Sequence, residues 1–197
     1  MARRVTGSGE LLGTPAISKR RVDSSSGRLN TEHRRTPVKV RGEIFIVHGH
    51  DAQARDQLEL ALHRLGIEPY VLSNSSAAGK TIIEALEGKI GRDHCSDFGI
   101  VLMTPDDIGY AKKDGMRKAE PRARQNVVLE AGMLLSSLTR ECMAIVIKGH
   151  IEIPSDLEGI IRFEYSNHVK EIVPKLCQRL NEAGFNFNPD QVAAAAQ

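Results

Sequence analysis

Apolar and polar positions change period several times along this chain, and each change marks an element. Residues 1–42 are rich in Ser, Thr, Gly and Pro and hold no lasting apolar period; they read as a disordered arm or linker. The first sustained apolar run, EIFIVHG at 43–49, is short and β-branched, the pattern of a buried strand. Over 51–65 the period becomes helical, with Leu58, Leu62 and Leu65 set between charged residues and Gly66 as a stop. IEPYVL (67–72) gives a second strand, SNSSAAGK (73–80) a polar loop, and TIIEALEGKIG (81–91) a second helix with Thr81 as its cap. DFGIVLMTP (97–105) is apolar throughout, as expected of a central parallel strand covered on both faces. Residues 106–120 are charged and contain glycine, and read as a long exposed loop. A helix is expected over about 122–138, with Pro121 suiting its first turn and Val127, Val128, Ala131, Leu134, Leu135 and Leu138 as its buried side. CMAIVIKG (142–149) and IIRFEY (160–165) add two strands, and 168–184 a closing helix whose continuity Pro174, near its middle, puts in question. Residues 185–197 carry no informative pattern and read as a tail.

Strands alternating with helices imply an α/β fold: a flavodoxin-like three-layer sandwich around a central, mostly parallel five-stranded sheet, spanning 43–184. In such folds ligands sit outside the carboxyl ends of the strands. That rim would carry His48, Gly49, His50 and Asp51 after the first strand, Ser73 to Lys80 after the second, and Thr104 to Asp107 after the third.

Charge divides the chain where the period does. The formal net charge of +2 is a cancellation: residues 1–42 hold 10 Lys and Arg against Glu10, Asp23 and Glu32, and the remainder holds 17 basic and 22 acidic side chains. A basic arm suits nucleic acid, acidic lipid or an acidic partner, but a solvated tail is the simpler and preferred reading. The acidic body, with no Trp and eight aromatic residues in the whole chain, argues against a nucleic-acid-binding module. No apolar run is long enough to cross a bilayer, and Arg3 and Arg4 lack the apolar stretch of a secretory signal. Cys95, Cys142 and Cys177 match neither a disulfide framework nor a zinc site and suit a reducing cytoplasm.

The candidate motifs differ in weight. AAGKT (77–81) is not a phosphate-binding P-loop, because position 74 is Asn where that pattern needs Gly, and no GxGxxG is present. HGHD (48–51) has two histidines and an aspartate but no third ligand with metal geometry, so no metal is expected; a polar substrate contact or, for Asp51, a helix N-cap suits it better. PRARQNVVLEAGMLL (121–135) is the strongest signal, with Arg122, Asn126 and Glu130 four apart on one stripe beside the apolar side. Partial burial there raises a carboxyl pKa and a neighbouring arginine lowers it. On residues alone, a catalytic carboxylate and a surface network that stabilises the helix both stay open.

EIFIVHGHD (43–51), GKTIIEALE (79–87), DFGIVLMTPDDIG (97–109), KAEPRARQNVVLEAGMLL (118–135) and IEIPSDLEGI (151–160) together resemble the bacterial TIR-like domains, including the TIR effectors of cyclic-nucleotide-triggered anti-phage systems. The resemblance covers about 43–184; Leu129 stands where the family commonly has Phe before its glutamate. It implies a TIR fold and cleavage of NAD⁺ to nicotinamide and ADP-ribose, linear or cyclised, with NAD⁺ as substrate and no cofactor required. It implies Glu130 as the catalytic carboxylate, with Asn126 positioning it or a ribose hydroxyl. His48, Gly49, His50, Ser73, Gly79, Lys80, Thr104, Arg122 and Arg124 are the implied contacts to NAD⁺, with only one of the two arginines reaching it. Self-association through TIR contacts, and a cyclic-nucleotide sensor acting in trans, are the implied partners. A nucleoside or nucleotide N-glycosidase of the deoxyribosyltransferase type, or a non-catalytic TIR interaction module, are the alternatives.

Overall fold

In the computed structural model the described residues are 43–72 and 98–197. The arm 1–42, the loop 73–80, the helix expected at 81–91 and Cys95 lie outside them.

Five strands, β1 (Ile44–His48), β2 (Tyr70–Leu72), β3 (Phe98–Met103), β6 (Met143–Lys148) and β7 (Arg162–Tyr165), form one sheet in the order β2-β1-β3-β6-β7. Every pairing in it is parallel. All six residues of β3 are buried, which explains its unbroken apolar run: it lies at the centre with a layer on each face. The register aligns Val47, Val101 and Ile145 on one face, and His48, Leu102, Val146 and Phe163 on the other.

Helix α2 (Gln125–Ser137) covers the first face. Gly99 lies beneath it, where a Cβ would come within 3.2 Å of both Leu134 and Leu138, so the glycine lets the helix approach the sheet. Across the sheet, α1 (Ala52–Arg64) packs with the 3₁₀ turn Val169–Glu171 and with α4 (Pro189–Ala195), and α3 (Val173–Glu182) packs against the same turn and α4. Asp51 caps α1, accepting from the Ala54 amide at 2.9 Å, and Gly66 closes it at φ +81 while Ile67 N donates back to Leu62 O.

Three sequence expectations are corrected. Residues 106–120 are not a plain loop: β4 (Asp107–Gly109) pairs antiparallel with β5 (Glu120–Arg122), with a 3₁₀ turn at Met116–Lys118 between them. Pro121 therefore sits in a strand and α2 begins only at Gln125; Pro121 gives no ladder N–H, but its carbonyl accepts from Glu152 N at 2.8 Å. Pro174 does not interrupt the last long helix but lies in the first turn of α3, after the 3₁₀ turn, where a missing N–H costs nothing. The segment 185–197, read as patternless, folds as well. Phe185 meets Phe98 edge-to-face at 6.3 Å, Gln191 Nε2 donates to Leu65 O at 3.0 Å, and Ala195 is buried.

Candidate functional site

The site is built where α2 begins, beside the loops that follow β1 and β3. Glu130 is on the second turn of α2 and on its buried side with Val127, Ala131 and Leu134. Val128 and Leu135, expected there, are only half-buried. Glu130 and Thr104 are the two buried polar residues among those described, Glu130 at 5% exposure. Burial pushes its carboxyl up to about 7, against the opposing charge of Arg124. A carboxyl held there changes charge near neutral pH, an unusual state for a glutamate.

Arg124 immediately precedes the first residue of α2, and its guanidinium hydrogen-bonds His50 Nε2. An arginine only donates, so this His50 nitrogen is the acceptor. His50 is exposed, while its backbone N–H donates to Asp106 Oδ2 at 3.0 Å. Asp106 Oδ1 in turn accepts from the Thr104 hydroxyl at 2.9 Å. Gly49 packs onto this carboxylate so tightly that an added Cβ would fall inside it. His48 is half-buried and donates from Nδ1 to the Gly49 carbonyl at 2.7 Å, which makes Nε2 its acceptor nitrogen when neutral. That Nε2 is buried without a partner.

Ser73, Gly79 and Lys80 are outside the described residues. Asn126 is exposed at the start of α2. Arg122 does not share a helical stripe with Asn126 and Glu130, because it precedes the helix in β5. Its guanidinium lies against Gly109, and Nε donates to Glu152 Oε2 at 2.6 Å. It lines a cleft of about 290 Å³ with Ala123, Gln125, Val128, Glu152 and Pro154. Val128 is two positions from Glu130, about 200° around the helix, so this cleft lies on the side of α2 turned away from Glu130. The Thr104 hydroxyl, 1% exposed, is engaged by Asp106. Of the two arginines, Arg124 is the one whose charge acts on Glu130.

Sequence reasoning singled out neither Asp106 nor Lys148. Lys148, at the end of β6, donates to Asp51 Oδ2 at 2.6 Å. Burial pushes the Asp51 carboxyl up, but Lys148 and the Ala54 amide outweigh it and hold the group below its ordinary value. The usable signal for Asp106 was its place two residues past a buried threonine, opposite a rim glycine.

The model of the TIR domain of CAP12/Pycsar effector proteins matches residues 43–167. The chain belongs to this TIR-domain family. The match begins at β1 and takes in β7, so all five strands of the sheet and the whole Glu130 site lie within the TIR domain. Protein YuaY of Escherichia coli (strain K12) is 40% identical over 156 residues, covering 79% of this chain and 50% of YuaY. Protein tirC of Dictyostelium discoideum is 36% identical over 140 residues, covering 66% of this chain and 67% of tirC. This TIR protein thus spans about half the length of its Escherichia coli relative. Among the described residues, no helix is long and apolar enough to cross a membrane, and no cluster of His, Cys, Asp and Glu is arranged to hold a metal ion.

Proposed function

We propose that this TIR domain hydrolyses the nicotinamide N-glycosidic bond of NAD⁺, releasing nicotinamide and ADP-ribose, as a cytoplasmic anti-phage effector. The observation that carries the reading is Glu130: a buried carboxyl, pushed up to about 7 against the charge of Arg124, within the span that matches the TIR-domain family.

The chemistry suits a lone carboxylate. Nicotinamide is a pyridinium in the substrate, so when the C1′–N bond breaks its electron pair returns to the ring and neutral nicotinamide leaves without an acid. Positive charge then builds on C1′ and the ring oxygen of the ribose. Ionised Glu130 in a water-poor setting stabilises that cation far better than a solvated carboxylate would. Water forms the new C1′–O bond and gives up one proton. A group titrating near neutrality is matched to accept it. Asn126 is assigned to a ribose hydroxyl and Arg124 to the pyrophosphate, and His48, Gly49, His50, Ser73, Gly79 and Lys80 are assigned as further contacts to NAD⁺. Assembly of several copies, driven by a sensor of cyclic nucleotides, would raise the activity.

The test incubates wild type and Glu130→Ala with NAD⁺ over a wide range of protein concentration and separates nicotinamide from the ADP-ribose isomers by chromatography. Wild type should release nicotinamide, more per molecule as concentration rises, and the variant at least ~100-fold less while still folded. Equal turnover by the two would remove Glu130 from the mechanism. Release of a free base from a nucleoside monophosphate but not from NAD⁺ would turn the reading to a nucleotide N-glycosidase.

A further inference from the structure

We propose that Asp106 is a positioning residue of this site: its carboxylate ties the loop after β1 to the loop after β3 and, through His50, holds Arg124 at the start of the helix that carries Glu130. The proposal deepens the reading above and rests on it for the reaction, though not for the geometry.

Both Asp106 oxygens are used, and each reaches a different loop. Oδ1 takes the Thr104 hydroxyl at 2.9 Å from the end of its own strand, and Oδ2 takes the His50 amide at 3.0 Å from the loop after β1. The Asp106 backbone N–H also donates to Thr104 O at 2.8 Å, so the turn that aims the carboxylate is itself fixed. Gly49 presses on the carboxylate with no room for a side chain, which allows the two loops to meet at this distance. The loop held in this way presents the His50 ring to Arg124, and Arg124 is the charge that opposes the burial of Glu130. A solvent-facing arginine side chain has many rotamers, and restraint by His50 removes most of them. Asp106 bonds Thr104 and His50 but not Glu130, and acts through two intermediates, so its loss should appear in the ionisation of Glu130 as well as in stability.

The test follows the Glu130 side-chain carboxyl by NMR through a pH titration of the full chain. The proteins are wild type, Asp106→Ala, Thr104→Val and Arg124→Gln, each checked by thermal melting. In Arg124→Gln the opposing charge is gone and the midpoint moves to higher pH. Asp106→Ala should move it in the same direction, and combining it with Arg124→Gln should add little further. Thr104→Val removes one of the two hydrogen bonds at nearly constant volume, so a smaller shift of the same sign is expected even if Asp106→Ala fails to fold. Nicotinamide release at pH 6 should fall about threefold or more in Asp106→Ala, since half a pH unit on the midpoint is about a threefold change in ionised fraction. A Glu130 midpoint unmoved by Asp106→Ala and Thr104→Val, but moved by Arg124→Gln, overturns the proposal. A moved midpoint in a protein that releases no nicotinamide upholds the positioning role while removing the NAD⁺ reading.

Discussion

At the scale of single residues, Glu130 ties chemistry to stability. Its pKa is raised by folding, from 4.5 to about 7, so the native state prefers the protonated form more than the unfolded chain does. The contribution to stability is fully present below pH 4.5 and is lost as pH rises through about 7, by on the order of 3 kcal/mol. Glu130→Gln, neutral at every pH, should abolish this loss, so its melting temperature should exceed that of wild type at pH 8 and match it near pH 5. Activity has the opposite slope, because only the ionised form stabilises a cation: nicotinamide release should climb with pH with a midpoint near 7. Gly49→Ala is the second test at this scale. Its Cβ displaces the Asp106 carboxylate, so a cost of about 1–3 kcal/mol is expected by chemical denaturation, together with loss of activity.

At the scale of elements, what the sequence disclosed follows how strongly each segment is constrained. β1, β3 and β6 are long and buried, so their apolar runs survive every surface requirement and were legible. β4 and β5 are three residues each, with Asp107, Glu120 and Arg122 exposed or half-exposed, so no alternation could announce them. Their pairing is set instead by contacts distant in sequence, Pro121 with Glu152 and Arg122 with Gly109. Glu130 was legible through the block around it, but its burial was not, because period alone sets it beside the apolar side of the helix and not within it. Asp106 was legible only as a rim position, since its partners, Thr104 aside, come from a loop more than fifty residues earlier. The Lys148–Asp51 pair is an element-level tie between the end of β6 and the start of α1. Lys148→Ala leaves a mostly buried carboxylate without its cation, and should cost about 1–3 kcal/mol in thermal unfolding.

At the scale of the whole molecule, residues 185–197 belong to the fold. Phe185→Ala should cost about 2 kcal/mol, less than a fully buried Phe because the ring is only half-covered, and should lower the melting temperature without altering the titration of Glu130. The exposed apolar side chains Ile108 and Met116, 75% and 74% accessible, stand on the β4–β5 segment. The wholly parallel sheet has a consequence for how the protein is made. Ile44 must wait for Phe98, and Gly99 for Met143, before the central strands find their neighbours. A chain released from the ribosome only as far as Met103 therefore exposes β1 and β3 before α2 or the later helices are available to shield them. Pairing over such sequence distances slows folding and leaves apolar strand surface exposed on the nascent chain until α2 and the later helices emerge.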